Sequence, residues 1–365
     1  MATIRIENLS HSYDGKTVVL RPMNFTFEQG RSYALLGPSG CGKTTLLNIL
    51  SGLLRPSSGR IFIDDREVTT LDPAQRNLAQ VFQFPVVYDS MTVGQNLHFP
   101  LKRRGTKPGE AHQRIRTVAK LLELESLLDQ RAVQLSGHIK QLISLGRALV
   151  RQDVSAILLD EPLTMIDLQK KLFIRRKIIE SRQAFPSTMI LVTHDQTEAM
   201  GFADEILVMN QGEIQQAGSP EEIFDNPKTP FVGRFVGSPG MNFFPARWED
   251  GSLRLRGGSG RWRPESPAGQ SSGEVLLGIR AHHLRVGRPG SETDDGFVLE
   301  EPIADIGWHN SGRVIRVERG DESIRVNVPF GHDQQVGEKV RLHIPFRDLK
   351  IFHQAPDKAD AQMWN

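Results

Sequence analysis

The sequence predicts an α/β domain followed by a smaller β domain. Three short apolar runs, at residues 31–37, 156–160 and 188–195, are typical of strands buried on both faces of a sheet. Two longer segments, at residues 42–54 and 138–151, indicate helices, because the second of them places its apolar residues on one helical face. Together these segments predict an α/β core in the first part of the chain.

The character of the sequence changes after about Gly237. Residues 251–273 are rich in Gly, Ser, Pro and Arg and are typical of a loop. Further on, apolar and polar residues alternate in two stretches, which predicts half-buried strands of a small β domain. The apolar positions are Ile324, Val326, Val328, Val340, Leu342 and Ile344. We therefore expect one domain over residues 1–237 and a second over residues 238–365, with a frayed tail over residues 355–365.

Length and composition fit an ordinary globular protein. The chain has 365 residues, of which 38% are hydrophobic and 24% charged, and its net charge of +2 gives no argument for nucleic acid. We expect no membrane-spanning helix, because no run of about 18 apolar residues is present. The first residues indicate a strand, not a secretory signal. The single cysteine, Cys41, favours a reducing cytoplasm because it has no partner for an internal disulfide.

A glycine-rich loop follows the first apolar run. It fits the pattern G-x-x-x-x-G-K-[ST], and this P-loop consists of Gly37, Pro38, Ser39, Gly40, Cys41, Gly42, Lys43 and Thr44. Glycines let backbone N–H groups surround phosphate oxygens, and the helix that follows adds its positive dipole. Lys43 supplies a charge near the β- and γ-phosphates, and the Thr44 hydroxyl is suited to ligating Mg²⁺. The predicted phosphate site also includes Thr45, and we expect thiolate character for Cys41 beside the helix start, with a buried, inert thiol as the alternative. A glycine turn followed by a chance Lys-Thr pair is the alternative.

Two acidic residues end the second apolar run. Asp160 would be delivered beside the phosphates, where it can hold Mg²⁺ through water. Glu161 follows it directly and can take a proton from an attacking water molecule. A buried strand that leaves the core at a charged loop is the alternative, and the P-loop upstream makes it the weaker one.

Two further polar residues follow apolar runs. His194 would lie beside the ends of the other two strands if the sheet is parallel, since ligands gather at the carboxyl ends of strands. It could then bond the γ-phosphate. Gln83 is a neutral donor and acceptor that suits the orientation of water or Mg²⁺. Each of these residues taken singly is more often structural.

In this order and spacing, these elements resemble the ATP-binding subunits of ABC transporters over about the first 240 residues. The resemblance implies that Tyr13 stacks on adenine and that Asp167 contacts the other subunit of a dimer. It implies that residues 84–101 meet the cytoplasmic loops of membrane partners, and that the ligands are ATP and Mg²⁺. The ATP site would then contain Lys43, Thr44, Gln83, Asp160, Glu161 and His194.

Two other classes remain as alternatives to a transport ATPase. A soluble ABC ATPase that acts on ribosomes or DNA usually fuses two such domains or inserts a long coiled coil, and this sequence shows neither. A P-loop kinase or GTPase would leave His194 unexplained, and no guanine-recognising Asn-Lys-x-Asp motif is present.

The tail resembles that of a subgroup of these transporters. Residues 235–242 and 278–284 are similar to the importers for maltose and related carbohydrates, whose C-terminal domain is a small OB-like regulatory fold. A plain stability or dimerisation module is an equally good interpretation. Residues 76–101 look closer to subunits of bacterial glycerol importers, which use two different ATPase chains. The resemblance therefore implies import of a carbohydrate or polyol, such as glycerol, glycerol 3-phosphate or a sugar.

One segment departs from the family pattern. The signature is normally Leu-Ser-Gly-Gly-Gln, whereas here Ser136 and Gly137 are followed by His138 and Ile139. Ser136 can cap the following helix and aim its N-terminus at a γ-phosphate on the facing subunit. His138 either crowds a glycine-sized gap or donates a hydrogen bond. A homodimer would carry the altered signature twice, so we expect a heterodimer with a second ATP-binding subunit, with a homodimer as the alternative.

The resemblance also implies a location and a set of partners. The chain would lie peripherally on the cytoplasmic face of a bacterial inner membrane. Its partners would be the second ATP-binding subunit, two transmembrane permease subunits and an extracytoplasmic solute-binding protein, and no nucleic acid. The membrane subunits and the binding protein would recognise the transported solute, so this sequence does not identify it.

Overall fold

The chain divides into two compact units, Met1–Ile223 and Phe224–Asn365. The computed structural model describes residues 2–185, 187–264, 273–287, 295–309, 312–320, 322–331 and 333–353. The predicted boundary after residue 237 falls inside the second unit. Residues 224–237 belong there because the buried Arg280 guanidinium donates hydrogen bonds to the carbonyl oxygens of Phe224, Gly233 and Val236.

The first unit contains strands and helices in alternation. Its strands are β1 (Ile4–Ser12), β2 (Val18–Phe27), β3 (Ser32–Leu36), β4 (Ser58–Ile63), β5 (Arg66–Glu67), β6 (Ala79–Val81), β7 (Ile157–Asp160), β8 (Met189–Thr193), β9 (Glu205–Asn210) and β10 (Glu213–Gly218). Its helices are α1 (Lys43–Ser51), α2 (Pro73–Arg76), α3 (Val93–Arg103), α4 (Pro108–Leu121), α5 (Gly137–Leu149), α6 (Leu168–Ala184) and α7 (Gln196–Phe202), and α8 (Pro220–Asp225) crosses the boundary.

A six-stranded sheet forms the centre of the first unit. Its strand order is β10-β9-β3-β8-β7-β6, and all neighbours pair in parallel except β9 with β10. Every residue of β3, β7 and β8 is buried, which confirms the prediction from the three apolar runs. A second, antiparallel sheet has the order β2-β1-β4-β5. Phe27 from this sheet, Leu46 from α1 and Leu158 from the central sheet share one hydrophobic core.

A buried arginine closes the C-terminal end of α1. This helix ends at Ser51, earlier than the predicted residue 54, because Gly52 takes a left-handed φ of 84°. The Arg76 guanidinium donates to the carbonyl oxygens of Ile49 and Leu50 at 2.7 and 3.0 Å. It also donates to the carbonyls of Thr69 and Leu71 at 2.8 and 2.9 Å. Arg76 therefore satisfies carbonyls that a helix end leaves without partners, and burial lowers its pKa.

The second unit is mainly antiparallel β structure. It contains α9 (Pro230–Phe235) and the strands β11 (Asn242–Glu249), β12 (Ser252–Leu255), β13 (Gly273–Ile279), β14 (Arg285–Gly287), β15 (Gly296–His309), β16 (Gly312–Arg319), β17 (Glu322–Val328), β18 (Lys339–Pro345) and β19 (Lys350–Phe352). One sheet has the order β12-β11-β13-β19 and the other β14-β18-β15-β16-β17. The alternation in β17 and β18 buries the predicted apolar residues, which confirms both strands.

One prediction for the second unit is wrong. The stretch 251–273 was expected to be loop, but β12 lies within it and pairs with β11. Leu253 and Leu255 drive this pairing, because both side chains are buried in the core of the unit. The predicted frayed tail, residues 355–365, lies outside the described residues. Within the described part of the chain, no helix is both long and apolar enough to cross a membrane.

Candidate active site

Three neighbouring strands carry the predicted site residues to one edge of the central sheet. β8 lies between β3 and β7 and is parallel to both, with Leu36 opposite Thr193 and Asp160 opposite Val192. The P-loop follows β3, His194 follows β8, and Asp160 is the last residue of β7. The parallel arrangement expected from the sequence therefore holds, and the carboxyl ends of the strands meet, as in other open α/β sheets.

The P-loop is a tight turn between β3 and α1. Gly37 passes so close to the neighbouring chain that a Cβ atom would lie 2.3 Å from the Met209 carbonyl oxygen. Gly42 takes a φ of +102°, and a Cβ there would lie 2.5 Å from Leu20 Cδ2. The buried Lys43 Nζ donates to the carbonyl oxygens of Gly37 and Pro38, both at 2.9 Å. The ammonium group is thus held against the loop at the start of α1, where an anion is favoured.

The side chains of an aspartate and a threonine place two oxygen atoms next to each other. The Thr44 hydroxyl donates to Asp160 Oδ1 at 3.0 Å, which joins the start of α1 to the end of β7. Burial raises the pKa of the Asp160 carboxyl, while the Thr44 bond opposes that rise. Mg²⁺ prefers oxygen ligands and keeps several waters or phosphate oxygens in its shell. This pair therefore fits a magnesium ion that has few protein ligands.

A carboxylate and an imidazole face each other beside this pair. His194 Nδ1 lies 3.3 Å from Glu161 Oε2, and the Thr164 hydroxyl donates to the same oxygen at 3.0 Å. The backbone of Glu161 has a φ of +43°, in the left-handed region that side chains other than glycine rarely adopt. Its N–H donates to the Val192 carbonyl at 3.0 Å. Thr164 was not predicted as a site residue from the sequence, although its i+3 spacing from Glu161 is a usable signal.

Gln83 and Tyr13 lie at the margins of this group. Gln83 lies just after β6, the neighbour of β7, and the preceding Phe82 carbonyl is fixed by the Gln141 amide at 3.1 Å. Among the described contacts, none joins Gln83 to the P-loop residues. The Tyr13 ring is 64% exposed, and its hydroxyl lies 3.1 Å from Thr45 Oγ1 at the start of α1. An exposed aromatic face next to the P-loop is suited to stacking on a base.

The expectation for Cys41 is wrong. Its side chain is buried, and burial is the main reason why the pKa of its thiol rises above the ordinary value. The nearby Lys43 lowers the pKa but does not cancel the effect of burial. The thiol is therefore protonated at neutral pH. The position of Cys41 beside a helix N-terminus does not decide the ionisation of its thiol, because desolvation disfavours the thiolate more than the helix dipole favours it.

The signature segment differs from the expectation in its hydrogen bonding. Ser136 is the N-cap residue of α5, but its side chain makes no capping bond to that helix. Its Oγ instead lies 2.9 Å from His138 Nδ1. Burial lowers the pKa of His138, and Lys170 lowers it further, so the imidazole is neutral at pH 7. Asp167 is the N-cap residue of α6 and its side chain is 85% exposed.

Not all predicted residues come together within this chain. The structure joins Thr44 with Asp160 and Glu161 with His194 at one edge of the sheet. Within the described residues, no hydrogen bond or ion pair links the signature residues or Asp167 to that group. The signature residues are Ser136 and Gly137, and both are exposed.

Two family models match the chain. One, described as ABC transporter, matches residues 20–164. The other, described as MalK OB fold domain, matches residues 237–284. A solved structure of cbiO1 from Clostridium perfringens, described as part of the ABC transporter complex cbiONQ, is similar with a TM-score of 0.55 and 27% identity. That similarity covers 60% of this chain and 89% of the other.

Three curated relatives match over most of the chain, and each of the three carries the name sn-glycerol-3-phosphate import ATP-binding protein UgpC. The Ruegeria pomeroyi protein is 37% identical over 363 residues, which is 99% of this chain and 100% of the relative. The Rhizobium meliloti protein is 40% identical over 296 residues, 81% of each chain. The Pectobacterium atrosepticum protein is 34% identical over 355 residues, 96% of this chain and 98% of the relative. The chain therefore belongs to the ABC transporter family, as an ATP-hydrolysing, ATP-binding importer subunit with a MalK-type OB domain.

Proposed function

We propose that this chain hydrolyses ATP at the P-loop edge of its central sheet to power the import of a polyol phosphate or a related carbohydrate. The observation that carries the proposal is the Glu161–His194 contact of 3.3 Å beside the Thr44–Asp160 bond of 3.0 Å. A carboxylate beside a phosphate cradle is the arrangement that in-line attack by water requires.

Each residue of the group has a separate task in this reaction. Lys43 holds the phosphate oxygens by charge, and Glu161 accepts the proton of the attacking water. His194 bonds the γ-phosphate and, through its other ring nitrogen, restrains the Glu161 carboxylate. Thr44 and Asp160, with Gln83 as a further predicted ligand, would hold Mg²⁺, which neutralises charge on the phosphate oxygens. Tyr13 stacks on the adenine base, and the P-loop residues with Thr45 bind the phosphates.

Substitution of the base tests this assignment. Glu161→Gln keeps the size of the side chain and removes the proton acceptor, so turnover should fall by at least about 100-fold while ATP binding persists. Glu213→Gln is a matched control, because Glu213 is an exposed residue that pairs with Arg21. Steady-state ATPase assays and nucleotide titrations of the two variants give the comparison. Turnover of Glu161→Gln within twofold of the control would show that another group is the base.

The names of the relatives support the proposed class of solute. Each of the three is named for sn-glycerol-3-phosphate import, and each is at least 34% identical to this chain. ATPase activity of the reconstituted importer, with its permeases and binding protein, should be stimulated by sn-glycerol 3-phosphate or glycerol more than by maltose. Stimulation by maltose alone would place the cargo among sugars instead.

The altered signature supports a heterodimer. In a dimer each signature serves the ATP of the facing chain, with Ser136, Gly137 and Asp167 on the contact surface. A homodimer would carry His138 and Ile139 at both of its ATP sites, whereas a heterodimer would confine this altered signature to one site. A partner chain with the usual signature would complete the site of this chain. Full ATPase activity and transport with this chain as the sole ATP-binding subunit would refute the heterodimer.

Restoration of the usual signature tests whether His138 crowds the phosphate or donates a hydrogen bond to it. The variant with His138→Gly and Ile139→Gln should raise homodimer activity if the histidine crowds the phosphate. It should change little if the histidine is a working donor. ATPase assays of this variant without the second chain distinguish the two.

Membrane partners would contact residues 84–101. Three large hydrophobic side chains in this stretch are exposed, namely Phe84 at 63%, Val86 at 51% and Tyr88 at 39%. Arg147 stacks over the Tyr88 ring at 4.6 Å and donates to the Val86 carbonyl, which fixes the stretch against α5. The chain would lie on the cytoplasmic face of the inner membrane, held by two permease subunits. Cross-linking of a Phe84→Cys variant to a permease tests this contact.

A further inference from the structure

A lysine on α6 makes two ion pairs with the start of α7. Lys171 Nζ lies 2.7 Å from Glu198 Oε1 and 3.2 Å from Asp195 Oδ2. The side chain of Glu198 is 6% exposed and that of Lys171 is 24% exposed, so solvent screens this pair little, whereas Asp195 is 33% exposed and its pair is screened more. Burial lowers the pKa of the Lys171 ammonium, but the two carboxylates outweigh that effect and raise it overall. The lysine is therefore charged at neutral pH.

The two carboxylates hold the chain on both sides of His194, the residue that faces the proposed base. Asp195 follows His194 and caps α7, because its Oδ1 accepts from the backbone N–H of Thr197 at 2.8 Å. Glu198 Oε2 accepts from the hydroxyl of Thr193 at 2.6 Å, and that hydroxyl accepts from the Asp195 N–H at 3.0 Å. Both sequence neighbours of His194 are thus fixed by one network, and Lys171 supplies its positive charge.

The same lysine is anchored to the other side of the site. Asp167 is the N-cap residue of α6, and the backbone N–H of Lys171 donates to the Asp167 carbonyl at 2.9 Å. Only a short segment, residues 162–166, separates Glu161 from this helix. Its Thr164 donates to Glu161 at 3.0 Å. Lys171 therefore bridges the segment that carries Glu161 and the turn that carries His194.

We propose that Lys171 is a positioning residue for ATP hydrolysis, which holds His194 at its distance from Glu161 through Asp195 and Glu198. This inference rests on the proposed function of that pair. Charge-assisted hydrogen bonds in a poorly screened site fix geometry more firmly than neutral ones. Reacting groups are sensitive to small displacements, so loss of the bridge should lower turnover although Lys171 touches no substrate.

The same helix offers a matched control. Lys177 is 6% exposed, and its Nζ lies 2.6 Å from Glu123 Oε1 and 3.0 Å from Glu180 Oε2. It is a lysine with two carboxylate partners, as Lys171 is, but neither partner adjoins a proposed site residue. A merely structural role for Lys171 would make the two lysines equivalent in every assay.

The experiment compares Lys171→Met, Lys171→Arg and Lys177→Met in the full-length chain assembled with its transport partners. The kcat of Lys171→Met should fall roughly 10- to 100-fold, while its KM and Kd for MgATP stay within about twofold of wild type. Lys171→Arg keeps the charge and should restore most of the turnover. Lys177→Met should lose stability as Lys171→Met does and keep its kcat within about twofold of wild type.

The outcomes separate this inference from the proposed function. Equal kcat values for the two methionine variants, or a KM change that explains the loss, would overturn the positioning role. Should Lys171→Met not fold, Glu198→Gln removes the stronger ion pair and should show the same loss of kcat, and an unchanged kcat would overturn the proposal. A wild-type complex without ATPase activity, or a fully active Glu161→Gln variant, would instead refute the proposed function.

Discussion

The buried Arg76 at the end of the P-loop helix allows a quantitative test of how α1 is held. Arg76→Met keeps most of the apolar volume and removes all of the guanidinium donors. Four carbonyl oxygens lose this donor, at distances of 2.7 to 3.0 Å in the native chain, and of these the Ile49 carbonyl keeps the Gly52 N–H at 3.2 Å. Each unsatisfied buried group costs about 1–3 kcal/mol, and local relaxation recovers part of the sum, so we expect a loss of about 3–5 kcal/mol.

The assay must report on the unit that contains Arg76. All four tryptophans, at positions 248, 262, 308 and 364, lie after residue 237, so their fluorescence reports on the second unit. The long helices belong to the first unit, and circular dichroism at the helix minimum therefore follows its urea unfolding. Arg60→Met is the control, because Arg60 is 61% exposed and pairs with Glu7 at the surface, where about 0.5 kcal/mol is typical.

The result that would refute this reasoning is a small shift in the dichroism transition. If Arg76→Met and Arg60→Met lose equal free energies of unfolding, water or a shifted backbone satisfies the carbonyls, and the guanidinium does not hold the helix end. A large shift combined with weaker ATP binding would extend the conclusion. It would show that the fixed C-terminal end of α1 supports the phosphate cradle at its other end.

Three further predictions concern ionisation and domain structure. The raised pKa of Cys41 predicts slow maleimide labelling of the native chain at pH 7 and fast labelling in urea, and equal rates would contradict this. Burial raises the pKa of Asp204, but bonds from Ser32 and Arg182 hold it below its ordinary 3.8. Asp204→Asn should therefore lower the free energy of unfolding by about 1 kcal/mol at pH 7 after solvent screening. The difference in stability between the variant and the wild type should vanish as the pH falls below 3.8 and through the lowered pKa of the folded state. Urea titrations at several pH values would measure it. Deletion from Ser238 onward should leave a first unit that folds and binds ATP, and an unfolded product in circular dichroism would mean that this unit needs the later residues to fold.

The sequence alone predicts the strands and the site at the centre of the first unit, because the motifs that identify them are local. The P-loop pattern and the apolar runs before Lys43, Glu161 and His194 each identify a strand end without knowledge of the rest. If the sheet is parallel, those strand ends must lie next to one another. The parallel pairing of β3, β7 and β8 confirms that assumption.

The features that the sequence did not predict depend on non-local contacts. Lys170, Lys171 and Lys177 look alike as charges on a helix, and only the fold decides which of them meets two carboxylates next to His194. β12 was missed because its pairing with β11 overrides a composition that is typical of loops. Cys41 was misjudged because local position suggested a helix dipole, whereas burial depends on packing against the rest of the unit.

The left-handed backbone at Glu161 lowers stability at the same position where the side chain is needed for activity. Glycine adopts a φ of +43° without steric cost, and a carboxylate-bearing residue does not. The chain holds the glutamate there with the Val192 carbonyl and the Thr164 hydroxyl. Selection of random variants for heat resistance alone should therefore enrich Glu161→Gly. The resulting proteins should be more stable and bind ATP, but should no longer hydrolyse it. Stabilisation of this enzyme by directed evolution needs an activity screen in every round.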